Sequence, residues 1–197
     1  MVNVNQNKVR KIGFIVEGAS ERIIIESIAF KSFLSKNDFE LVSPVIDANG
    51  AGNLLPHNIQ AYINRFKQQQ VDAIYVLTDL ENESSNDIVR QRVEHPDIAF
   101  IFIAVKALEA WYLADTSAIQ TWLKLDSFYE DQPEQTPSKP WDRLKEIANE
   151  NGRSGPGQKI GFAKKMTKHW NFSIENAALH PACPSAKELI QHFTVNL

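Results

Sequence analysis

Acidic residues stand where apolar runs end in this chain. The segment IGFIVEGASE (residues 12–21) is an apolar run that stops at Glu17, with Gly18 next and Glu21 four residues on. The segment AIYVLTDLE (73–81) repeats the device, ending on Asp79 with Glu81 two residues later. Read as buried strands, both runs deliver carboxylates to the C-terminal edge of a sheet, where open α/β sheets build their sites. Grouped carboxylates are the oxygen donors that a hard divalent cation takes, and the ion's charge offsets their mutual repulsion. Gly18 reads as the residue that lets the chain turn sharply after the first run. Singly, each acid has a plainer reading: Glu21 as an acid in a first helical turn, Glu17 as a strand-end charge, Asp79 and Glu81 as solvated loop acids. Their coincidence points to a divalent-metal site.

The elements that must position these residues follow from the hydrophobic pattern. Residues 11–16, 41–46, 72–78 and 98–105 are β-branched and nearly continuously apolar, as strands covered on both faces are. Between them, residues 20–36, with Ile24, Ile28 and Phe33 at helical spacing behind a serine N-cap, read as a helix. Residues 54–70, with Ile59, Ile63 and Phe66 on one face, and residues 85–95 read as two more. This alternation predicts right-handed βαβ crossovers and an α/β fold: a mostly parallel sheet of about four strands with helices on both faces. Beyond Val105 the pattern is helical at 107–125, an acidic, proline-bearing loop at 129–140, and a helix at 140–150. A turn or mobile loop, NGRSGPG (151–157), leads to a basic helix at 158–170 and a last amphipathic helix at 185–193. The expected organisation is an α/β core over residues 1–106 with residues 107–197 as a helical cap on it, not an independent domain.

Composition narrows the function classes. A length of 197 residues suits one domain, and 43% hydrophobic and 23% charged residues are ordinary for a globular chain. A net charge of −3 argues against a broadly basic nucleic-acid surface but leaves room for a local patch or for metal-mediated phosphate binding. One cysteine, Cys183, admits neither an intramolecular disulfide nor a multi-cysteine zinc site, which makes a reducing cytoplasm the expected location. Residues 1–11 lack the apolar core of a signal peptide. The longest apolar run, 98–105, is far short of the roughly 20 residues of a membrane span.

On these motifs the chain resembles a known family. VEGASE is similar to the glutamate motif of TOPRIM domains, with the EGxxE spacing of OLD-family nucleases, and Asp79-Leu80-Glu81 is similar to their acidic pair, whose usual form is Asp-x-Asp. LEAWYLAD (108–115) resembles an acidic motif of small stand-alone TOPRIM-like proteins in a bacterial domain-of-unknown-function class, and the likeness extends to Thr136-Pro137-Ser138-Lys139 and to Cys183-Pro184. The resemblance implies a TOPRIM-like fold, magnesium or manganese as cofactor, and chemistry on nucleic-acid phosphodiesters, with DNA favoured over RNA. Carried over by position, Glu17 would be the motif glutamate, a metal ligand or proton-transfer group. Asp79 and Glu81 would hold metal, Glu21 would support a second ion, and Glu109 would be the late acidic ligand. Two ions roughly 3.5–4 Å apart would activate water and stabilise the leaving oxygen. Two departures stand out: Glu81 lengthens one ligand arm, and no ATPase domain accompanies the acidic motifs.

Other candidates are weaker. DANGAGN (47–53) lacks the lysine of a phosphate-binding loop and reads as a tight turn before a helix, or as a backbone approach to the metal site. Lys139, Lys159, Lys164, Lys165 and Lys168 concentrate positive charge; Lys164 and Lys165 on the basic helix, and Ser138 with Lys139 in the preceding loop, are candidate phosphate contacts or simply solvated surface. Arg153 is placed likewise in its loop. The five histidines show no zinc-ligand spacing. Cys183 reads as a small hydrophobe, and the four tryptophans as core or cap anchors. The expectation is therefore a metal-dependent nuclease, with a role in bacterial defence following only from the family's company. The alternative is a non-catalytic metal- or nucleic-acid-binding module beside a separate ATPase. An apolar helix face in the C-terminal half would serve a core or a homo-oligomer equally well.

Overall fold

The computed structural model describes residues 8–194; the first seven residues, part of the segment 1–11 read above for a signal peptide, and the last three, part of the expected C-terminal cap, lie outside the described residues. Strands β1 (Arg10–Val16), β2 (Phe39–Leu41), β3 (Ile46–Asp47), β4 (Ala73–Asp79) and β5 (Phe100–Ala104) form one sheet. Its order is β2-β1-β4-β5, with β3 also on β1, and every pairing is parallel. All strands therefore run toward one C-terminal edge.

Alternation along the strands feeds two cores. Ile12, Phe14, Val16, Tyr75, Leu77, Phe102 and Ala104 face one way, and Ile15, Ile74, Val76, Ile101 and Ile103 the other. The second face is covered by α3 (Pro56–Gln68) and α4 (Asn86–Val93) through Ile59, Ile63, Phe66, Val89 and Val93. Gly13 is required there, because a Cβ on it would lie 2.7 Å from the Phe66 ring. The first face is covered by α1 (Ala19–Ile25) and α2 (Ile28–Lys36), together with the whole C-terminal series. That series comprises α5 (Glu109–Ala114), α6 (Thr116–Leu123), α7 (Pro140–Glu150), α8 (Lys159–His169), α9 (Ile174–Ala178) and α10 (Pro184–Thr194). The expected α/β sheet with helices on both faces is the fold observed.

Several boundaries differ from expectation, each for a local reason. The expected second strand, 41–46, is two short pieces on either side of Pro44, which has no N–H to donate and sits at the sheet edge where that is tolerated. The expected helix 20–36 breaks at Ser27, whose hydroxyl accepts from Phe30 N at 3.2 Å and caps α2, while Ser20 is buried inside α1. The expected helix 107–125 breaks at Asp115: Oδ1 accepts from Ala118 N at 3.1 Å and caps α6, and Oδ2 accepts from Ser173 N at 3.1 Å. Within the expected loop 129–140, a 3-10 turn at Pro133–Gln135 sends Glu134 inward. There its carboxylate accepts from Ser185 N at 3.0 Å, in the first turn of α10, whose free N–H groups attract an anion. The short helix α9 was not expected. Among the described residues, no helix is long and apolar enough to cross a membrane.

Candidate functional site

The parallel sheet brings its strand-end acids to one edge. Glu17 continues the ladder beyond β1, its N–H donating to Leu77 O at 3.0 Å. Its carboxylate crosses to the next strand, where Oε2 accepts from Thr78 Oγ1 at 2.5 Å and from Asp79 N at 3.2 Å. Asp79, the last residue of β4, accepts in turn from Leu108 N at 2.9 Å through Oδ1. This bond fixes the start of α5 and so places Glu109, which is 3% exposed. Glu21, on α1, is 8% exposed. Gly18, expected to let the chain turn sharply after β1, is the N-cap of α1 with φ −153°, an extended value open to any residue. A Cβ there would lie 3.1 Å from Glu21 Oε2, so a larger residue would press on that carboxylate.

Crowding these acids has an electrostatic consequence. Burial, reinforced by the charges of Glu109 and Glu17, pushes the Glu21 carboxyl up to about 7, against the opposing pull of its own backbone hydrogen bond and of Lys159. Burial, followed by the charges of Glu21, Glu109 and Glu17, holds Asp79 well above the usual carboxylate range. One cation of the chain partly answers them. Lys159, the first residue of α8, places Nζ 2.8 Å from Glu109 Oε1 and 5.7 Å from the centre of the Trp141 ring. Burial alone would lower this ammonium, but its hydrogen bond to Glu109 and the charges of Glu109, Asp79 and Glu21 raise it.

A cavity of about 310 Å³ is lined by Asp79, Glu81 and Glu109 of the acidic residues, and by Ser138, Lys139 and Lys159 among others. Glu81 is exposed and adopts a left-handed backbone, φ 52°. The wall at Ser138 and Lys139 is held by Lys106, whose Nζ donates to Thr136 O, and by Thr136 Oγ1, which donates to Ser138 O at 2.8 Å. Glu17 and Glu21 do not line the cavity, and Lys164 and Lys165 stand exposed farther along α8, outside its lining. The structure thus gathers Glu17, Glu21, Asp79 and Glu109 into one electrostatic unit, puts Glu81, Ser138 and Lys139 on the cavity, and leaves Lys164 and Lys165 on the surface. Sequence reasoning did not assign Lys159 or Tyr112 to the site. Tyr112 is 1% exposed, and its hydroxyl has no hydrogen-bond partner among the described residues.

The donor set suits a hard divalent cation in chemistry: carboxylate oxygens, a shared excess of negative charge, and an orphaned buried hydroxyl beside them. Among the described residues, however, no three His, Cys, Asp or Glu side chains converge as a ready-made cage. One oxygen each of Glu17, Asp79 and Glu109 is engaged instead by Thr78 and the Asp79 amide, by the Leu108 amide, and by Lys159 respectively.

Residues 16–194 match the family model described as Domain of unknown function (DUF4276). The chain belongs to this family. Two solved structures are similar to this DUF4276 chain. One is the C-terminal region of the Burkholderia pseudomallei OLD protein, at 17% identity and a TM-score of 0.46, covering 94% of this chain and 98% of that one. The other is the C-terminal region of the Xanthomonas campestris pv. campestris OLD protein, at 17% identity and a TM-score of 0.41, covering 93% of this chain and 97% of that one. No curated protein matches the chain. The expectation of a domain-of-unknown-function class is met by this family; the TOPRIM likeness stays a resemblance of motifs.

Proposed function

We propose that this DUF4276 chain hydrolyses nucleic-acid phosphodiesters with the help of a divalent cation, magnesium or manganese. The observation that carries this reading is the set of carboxylates from β1, α1, β4 and α5, in which Glu21 is pushed up to about 7 by burial and by its acidic neighbours. A fold that keeps such a cluster under an open cavity gains most when a cation relieves it. Glu17, Glu21, Asp79 and Glu109 would hold the cation, with Glu81 reaching in from the rim. When bound, it would polarise the phosphoryl oxygen and supply an activated water.

The chain's own residues would do the rest. Lys139 and Lys159 on the cavity wall give positive charge for a phosphate, and the Ser138 hydroxyl, buried without a partner among the described residues, gives a donor. Farther along α8, Lys164 and Lys165 extend the positive surface to neighbouring phosphates of DNA or RNA, each as a point charge. The Thr78 hydroxyl and Asp79 amide keep Glu17 oriented. A second reading, a binding module beside a separate ATPase, is favoured by one observation: Lys159 already neutralises Glu109, so the cluster has an internal counter-charge.

The test is cleavage of supercoiled plasmid, single-stranded DNA and RNA by the purified chain with magnesium or manganese, beside Glu17→Gln. The glutamine retains a carbonyl oxygen for Thr78 and the Asp79 amide, so the variant should fold. Metal-dependent cleavage that disappears in Glu17→Gln is the expected result. Cleavage by a folded Glu17→Gln at the wild-type rate would remove Glu17 from the chemistry, and no cleavage by either protein would favour the partner module.

A further inference from the structure

Tyr112 lies three residues after Glu109 on α5, so the two side chains share a helix face. Its ring is packed edge-on against Phe162 at 5.6 Å and Phe172 at 5.0 Å, an apolar setting that a phenylalanine would fill equally well. The hydroxyl at its tip nonetheless has no hydrogen-bond partner among the described residues. Leaving a buried hydroxyl unpaired costs about 1–3 kcal/mol, and buried tyrosines normally find an acceptor. Burial, followed by the charges of Glu109, Glu21 and Asp79, holds the phenol well above its ordinary range. A buried hydroxyl donor on the Glu109 face of α5, unsatisfied among the described residues, is placed for an acceptor that those residues do not supply.

We infer that the Tyr112 hydroxyl is a positioning group of the cation site, donating to a water that enters in the shell of the bound divalent ion. Hard cations of the magnesium type bring several waters with them, and an ion held by few carboxylates keeps most of these. A fixed donor on the buried side orients one such water and, through it, the ion, as outer-shell partners do in other metal sites. The hydroxyl thus costs stability without the ion and returns it in affinity with the ion. The inference rests on the cation site proposed above.

The experiment is calorimetric titration with Mn²⁺, together with thermal unfolding in chelator, for wild type, Tyr112→Phe and Glu17→Gln. Without metal, Tyr112→Phe is expected to melt at or above the wild-type temperature, because it removes an unpaired buried polar group. With Mn²⁺ it should bind about 10-fold more weakly than wild type, the scale of losing an outer-shell partner. Glu17→Gln should lose binding and so locate the ion. Tight wild-type binding with an unchanged Kd in Tyr112→Phe would overturn the role of Tyr112 and leave the cation site standing. A lower metal-free melting temperature for Tyr112→Phe would show that the hydroxyl has a protein partner and would also overturn it. Absence of Mn²⁺ binding by the wild type, or binding that Glu17→Gln leaves intact, would sink the cation site at these residues and the inference with it.

Discussion

Glu21 shows what one residue of the cluster does to the energetics of the protein. Its carboxyl has an ordinary value of 4.5 and is pushed up to about 7 in the folded chain, by burial first and then by Glu109 and Glu17. Between these values the folded state binds more protons than the unfolded state, so stability falls as pH rises. The contribution is fully present below about 4.5, is lost as pH passes through about 7, and is level above that. Asp79 shifts in the same direction and adds to the trend. Urea unfolding of the metal-free protein at pH 5 and pH 8, beside Glu21→Gln, isolates the effect of Glu21. The wild type should lose about 2–3 kcal/mol more than the variant between the two conditions, because each tenfold difference in proton affinity between the folded and unfolded states is worth about 1.4 kcal/mol. Equal losses would mean that Glu21 ionises in the folded protein as it does in water.

The elements were legible in the sequence wherever burial is two-sided and local chemistry is plain. β1 and β4 are apolar on consecutive positions because helices cover both faces, and their C-terminal acids fall where a parallel sheet must put them. The helix breaks at Ser27 and Asp115 were not legible, because each lies inside an apolar period that reads as continuous and is decided by one side-chain cap. Glu134 looked like one of several loop acids, and only the arrival of α10 shows why it is buried. Lys159 was visible merely as one lysine among several, since its partner Glu109 is remote in the chain; Tyr112 was hidden in a helix buried on every side. Gly13 carries a prediction of the same kind. It sits in the middle of β1, where glycine weakens a strand, yet a Cβ would overlap Phe66 of α3. Gly13→Ala should therefore destabilise by about 1–3 kcal/mol, the usual cost of overpacking, in urea unfolding. Adding Phe66→Leu should recover part of the loss in the double variant. Independent, additive losses would show that the strand and helix do not meet at this point.

At the scale of the whole molecule, the sheet and the C-terminal helices share one apolar core. Phe14 on β1 stacks with Phe102 on β5 at 6.1 Å, and Phe193 on α10 packs on both, as well as on Tyr75 at 5.1 Å. Trp111 is fully buried in the same cluster, with its indole N–H donating to Ser185 Oγ at 2.7 Å, and Trp122, Trp141 and Trp170 pack against its border. Removing the helices would uncover the aromatic face of the sheet, so neither half has a complete core without the other. All four tryptophans lie beyond residue 106, which gives the C-terminal half its own optical signal, whereas far-ultraviolet circular dichroism reports the strands and helices of the entire chain. Under urea the two signals should follow one transition, with the same midpoint and slope, because a cooperative unit loses both together. Tryptophan fluorescence changing at lower urea, with most of the dichroism retained, would instead divide the chain near residue 106 into a core that survives alone and a cap that does not. The site makes the single transition the consistent outcome: Asp79 from the sheet sets the start of α5, and Lys159 from the last third of the chain answers the glutamate that α5 presents. Carboxylates collected from both halves stay together only while both halves are folded.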